Sequence, residues 1–101
     1  MDKALSTIGL CRRAGKLVYG FDAVCAEIKA DSAGVSGVLT ASDLSAKTKK
    51  EVGYECSKAN VAVTELPFTL DEIKDATGKR TGVLAVLDDG LYGSVIGSLR
   101  H

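Results

Sequence analysis

The chain has 101 residues, 46% of them hydrophobic and 26% charged, and its 13 Lys and Arg balance 13 Asp and Glu to a formal net charge of zero. A chain of this size and composition reads as one globular domain with a single core, which excludes disorder. Its neutrality excludes a long-range field that would gather polyanions, so any anion site has to be local.

No run approaches the roughly 20 apolar residues that cross a bilayer, and Met1-Asp2-Lys3 leads into a folded pattern without a signal-peptide core. A cytoplasmic protein with no membrane partner is expected. The first helix spans Asp2 to Ala14, with Ala4, Leu5, Ile8 and Cys11 on one side, Asp2 as N-cap and Gly15 as its stop. Leu17-Val18-Tyr19 is a brief strand. Gly20 then turns the backbone into a second helix, Phe21 to Ala30, whose Phe21, Val24, Cys25 and Ile28 repeat on one face before Asp31-Ser32-Ala33-Gly34 breaks it.

Val35 to Ala41 carries β-branched residues in an apolar stretch and reads as a central strand covered on both faces. Ser42-Asp43-Leu44-Ser45 leads into a third helix, Ala46 to about Lys58. Lys47, Lys49 and Lys50 stand in its first turns, the end where the helix dipole opposes cations, which points to a use outside the fold. Val61 to Leu66 is the third strand, ended by Pro67. Thr69 opens a fourth helix with a capping box to Glu72, Phe68 staples onto Ile73, and Gly78 closes it. A basic loop, Lys79-Arg80-Thr81, precedes a second buried strand, Gly82 to Leu87. Asp88-Asp89-Gly90 turns into the last helix, with Leu91, Tyr92, Val95, Ile96 and Leu99 on its apolar side. Helix and strand alternate throughout, so an α/β domain with helices on both faces of a four-stranded sheet, partly parallel, is predicted. The strand order is left open.

Catalytic signals fail on inspection. Gly9 to Lys16 resembles a P-loop, but the spacing is one residue too long, Leu17 stands where Ser or Thr would hold magnesium, and a helix precedes it. The single histidine is His101, the last residue. Asp88 and Asp89 at a strand end suit a general acid and base less well than a helix cap and a solvated turn. Cys11, Cys25 and Cys56 are widely spaced, without a Cys-x-x-Cys or a nearby His, and read as reduced core thiols. No catalytic residue, metal or cofactor is therefore expected. Binding is better supported, because basic residues fall at three turns: Arg12, Arg13 and Lys16; Lys47, Lys49 and Lys50; Lys79 and Arg80. A strand-to-helix turn at Gly20 adds backbone N–H groups that suit an anion.

Three segments carry a resemblance: Arg13-Ala14-Gly15-Lys16-Leu17 followed by Gly20, then Leu39-Thr40-Ala41-Ser42-Asp43-Leu44-Ser45 with Thr48-Lys49-Lys50, and Gly78-Lys79-Arg80 before Val83-Leu84-Ala85-Val86. Over nearly its whole length the chain resembles the seven-Ae and thirty-e ribosomal protein family, above all its small bacterial, ribosomal-protein-like members. The resemblance implies a three-layer α-β-α sandwich with a mixed four-stranded sheet. It also implies a non-catalytic RNA-binding protein, associated with ribosomes, that recognises structured RNA of the kink-turn type and has ribosomal proteins as further partners. The RNA-binding residues it implies here are Arg13, Gly15, Lys16, Gly20, Phe21, Asp22, Lys47, Thr48, Lys49, Lys79 and Arg80. In RNA-binding members the turn after the first strand reads Gly-x-Asn-Glu-x-x-Lys. Here Gly20 is kept, but Asp22, Ala23 and Ala26 replace the Asn, Glu and Lys. Ionised Asp22 only accepts hydrogen bonds, and Ala26 brings no cation, so kink-turn recognition through this turn is expected to be weakened. The alternative is a protein-interaction module on the same fold, with Tyr19 and Phe21 exposed as contacts.

Overall fold

The computed structural model describes residues 2–99, so His101 lies outside the described residues. Local capping chemistry sets most element ends. The Asp2 carboxylate accepts the Ala4 N–H at 2.7 Å and starts helix α1 (Lys3–Arg13), and Gly15, at φ 69°, redirects the chain into strand β1 (Leu17–Tyr19). Helix α2 (Phe21–Asp31) is followed by a 3-10 turn, Ser32–Gly34, in which Asp31 accepts the Gly34 N–H. Then come β2 (Gly37–Thr40), α3 (Ala46–Ala59), β3 (Val63–Glu65), α4 (Leu70–Thr77), β4 (Val83–Val86) and α5 (Asp89–Ser98).

Both halves of the capping box on α4 are made: Glu72 N–H donates to Thr69 Oγ1 at 3.2 Å, and Thr69 N–H donates to Glu72 Oε1 at 3.0 Å. Phe68 and Ile73, on either side of this cap, share one core cluster. Gly78 closes α4 in the left-handed conformation, as Asn60 closes α3. Thr69→Ala is expected to lower the unfolding free energy by about 1 kcal/mol, since the Glu72 N–H then loses its partner. Urea denaturation measures it, and an unchanged midpoint would contradict a contribution from the cap.

The sheet order is β1-β4-β2-β3. Strand β4 lies between β1 and β2, antiparallel to both, with Leu84 facing Tyr19 on one side and Leu39 on the other. Strand β3 is a parallel edge beside β2. The two central strands are buried along their whole length, as expected of continuous apolar runs. Alternate residues along β2 and β4 point to opposite layers. Leu39, Leu84 and Val86 pack with Ile8, Ile73 and Val95 from α1, α4 and α5, whereas Val38, Val83 and Ala85 pack with Val24, Ile28 and Val52 from α2 and α3. The result is the three-layer α-β-α sandwich. One close contact ties α5 down: a Cβ on Gly37 would overlap the Tyr92 ring, whose hydroxyl lies 3.1 Å from Thr64 Oγ1.

Candidate nucleic-acid interface

Strand directions decide which turns meet. Because β4 is antiparallel to β1 and β2, the C-terminal ends of those two strands lie beside the N-terminal end of β4. Gly20 N–H donates to Val83 O at 2.9 Å, and Ala41 N–H donates to Gly82 O at 2.9 Å. The turn at Gly20, the segment from Ala41 to the start of α3, and the loop from Gly78 to Gly82 therefore form one end of the sheet.

Gly20 has φ 92° and ψ 151°, a backbone region essentially closed to side-chain-bearing residues. It serves as N-cap of α2 without a side-chain acceptor, so the first-turn N–H groups face outward. Asp22 stands in that first turn, exposed, where the helix dipole favours a carboxylate. The Lys79 ammonium sits 5.5 Å from the centre of the Tyr19 ring, a cation–π contact. The fully buried Thr77 hydroxyl holds the Lys79 backbone, accepting its N–H at 3.2 Å and lying 3.1 Å from its carbonyl oxygen. Arg12 reaches the same turn: its guanidinium comes within 3.6 Å of the point where a Gly78 Cβ would stand.

At the start of α3, Ser45 Oγ accepts the Thr48 N–H at 3.2 Å and donates to Thr48 Oγ1 at 2.9 Å, so Thr48 is part of the cap. Asp43 accepts the Leu70 N–H at 2.9 Å and fastens this segment to α4. Lys47 and Lys50 are exposed.

Several expected contacts are differently disposed. Gly15 and Lys16 lie at the other end of β1, where Lys16 O accepts the Leu87 N–H; four residues of extended chain, about 13 Å, separate Lys16 from Gly20. Arg13 ends α1 on that same side. Lys49 is turned inward, donating to Ser42 O at 3.1 Å and pairing with Glu65 at 2.7 Å. Arg80 is exposed but donates to Asp71 at 2.8 Å. Phe21 and Tyr19 are half-buried rather than exposed: Phe21 packs on the α2–α3 core and Tyr19 on the opposite one. Arg12 belongs to the basic turn that the sequence marks for binding, whereas nothing local to Thr77 in the sequence marks its role.

The remaining reactive groups have structural partners. Asp88 accepts the Leu91 N–H at 2.8 Å as N-cap of α5, and Asp89 accepts from the Ser36 hydroxyl. Burial raises the Cys11 and Cys25 thiols and pushes Cys56 up to about 11, so all three stay protonated at neutral pH. Among the described residues no group of three or more His, Cys, Asp or Glu could hold a metal ion, and no helix is long and apolar enough to cross a membrane.

No protein-family model matches the chain. A relative from Enterococcus faecium, the RNA-binding protein YlxQ, is 39% identical over 89 residues, covering 88% of this chain and 84% of its own. The chain belongs to the seven-Ae and thirty-e ribosomal protein family. Solved structures agree on the fold. A protein of unknown function from Bacillus halodurans superposes with a TM-score of 0.89 at 25% identity over the whole of both chains. The Giardia lamblia 15.5kD RNA binding protein superposes at 0.76 and 13% identity over 96% of this chain and 82% of its own, which speaks for the fold alone. Within the seven-Ae and thirty-e fold, the end of the sheet bearing Gly20, the α3 start and the Lys79 loop is where this chain gathers backbone donors and cations.

Proposed function

We propose that the protein is a non-catalytic RNA-binding domain that takes structured RNA of the kink-turn type, in the cytoplasm and in association with ribosomes. The observation that carries this reading is the meeting of the Gly20 turn, with its uncapped helix, and the Lys79 loop at one end of the sheet. Phosphate oxygens need both N–H groups and cations, and this end offers both. The relative's name, RNA-binding protein, supports the same ligand class. Gly20, Phe21 and Asp22 form the turn, Lys79 and Arg80 neutralise phosphates from one side, and Lys47 and Thr48 from the start of α3. Lys49 acts by holding Ser42 and Glu65. Arg13, Gly15 and Lys16 are a flank to this surface.

The test is a titration of kink-turn RNA, an unstructured RNA and a duplex at two salt concentrations. Selective, salt-sensitive binding of the first is expected. Lys79→Ala and Arg80→Ala should each reduce the slope of log affinity against log salt by about 1 and weaken all RNAs alike. Unchanged slopes in both variants would remove this loop from the interface.

A further inference from the structure

Helix α3 carries an exposed feature that runs beyond Lys47 and Thr48, the part of it that the interface above uses. Tyr54 is 63% exposed, the most exposed large hydrophobic side chain among the described residues, and the Lys58 ammonium lies over its ring, 4.7 Å from the centroid. Lys47, Lys50, Tyr54 and Lys58 follow one another at intervals of three, four and four residues, so they form one stripe along the helix, roughly 16 Å long. Glu51 flanks the stripe, and Glu55 pairs with Lys58 at 3.4 Å. Neither Lys47 nor Lys50 pairs with a carboxylate among the described residues. Both stand near the N-terminal end, which the helix dipole makes unfavourable for cations, and no acidic residue in the first turn offsets them.

We propose that this stripe is a second RNA contact, which takes single-stranded nucleotides flanking the structured element, with Tyr54 stacking on an unpaired base and Lys50 and Lys58 neutralising phosphates. The proposal rests on the RNA-binding reading, and extends it to a surface outside the turns. Stacking on an exposed aromatic together with a line of cations is the chemistry of single-strand binding. A protein partner fits less well, because lysine is depleted at the centres of protein interfaces. The stripe begins at Lys47, in the first turn of α3, at the end of the sheet that bears Gly20.

The test uses the full chain and three probes: the kink-turn RNA alone, the same RNA extended by about six uridines, the scale of a short single-strand site, and free oligouridine. The extension is expected to tighten binding about tenfold. Tyr54→Ala should abolish that gain while leaving the bare probe and the melting temperature unchanged, and Tyr54→Phe should keep the gain. Lys50→Ala with Lys58→Ala should lower the salt slope by about 1 to 2 on the extended probe alone. The proposal is overturned if the extension adds nothing, if Tyr54→Ala weakens both kink-turn probes equally, or if it changes neither, the last being the outcome for a protein-docking face. Should the bare probe fail to bind while oligouridine binds through Tyr54, the reading of the Gly20 end falls and the stripe stands.

Discussion

Leu84→Ala is expected to lower the unfolding free energy by about 2–5 kcal/mol, a large part of the roughly 5–15 kcal/mol that holds a domain of this size together. Leu84 is fully buried in β4, with Tyr19 opposite it on β1 and Leu39 opposite it on β2. Truncation leaves a cavity at the one strand that joins the two halves of the sheet, and close packing there allows little collapse. The melting temperature should fall by roughly 10–30 °C. A loss below about 1 kcal/mol in a denaturant titration would mean that the α1–α4–α5 layer can close over the gap.

Rebuilding the turn is expected to have the largest effect on binding. Asp22, Ala23 and Ala26 are all exposed on α2, so Asp22→Asn with Ala23→Glu and Ala26→Lys disturbs no core contact. Asparagine can donate as well as accept at a base edge, and the new lysine adds a cation beside the outward-facing N–H groups of the helix start. Affinity for kink-turn RNA should rise roughly 10- to 100-fold, while an unstructured RNA gains only through the added charge, with its salt slope steeper by about 1. Anisotropy titrations separate the cases. Equal gains on both RNAs would reduce the turn to a charge site, and no gain on either would move the interface away from Gly20.

Much of this architecture is legible in the residues because the signals are local. Asp2, Ser45, Thr69 and Asp88 cap the helices that follow them, and Gly15 and Gly78 close the ones before them, each through atoms only a few positions away. The third strand is shorter than its apolar run, Val63–Glu65 against Val61 to Leu66. Val61 instead donates its N–H to Cys56 O at the end of α3. What could not be read was set by partners distant in sequence. Lys49 looks like a free cation until β3 brings Glu65 beside it. The basic residues around Gly15 look adjacent to Gly20, yet an extended strand carries them apart while Lys79, sixty residues later, comes to lie over Tyr19. Of the candidate site, the turns and their cations were readable, and their grouping depended on the strand order.

The position of β4 also bears on when this protein becomes usable. Strand β1 hydrogen-bonds to no strand but β4. A ribosome adding about 5–20 residues per second releases β1, β2 and β3 seconds before the segment that unites them. Until residues 83–86 emerge, the nascent chain holds β1 as an unpaired edge, and closing it demands a long loop late in synthesis. The Gly20 end of the sheet therefore takes its final form only once β4 is in place, so a chain that stops short of Val83 lacks the hydrogen bond that holds the Gly20 turn.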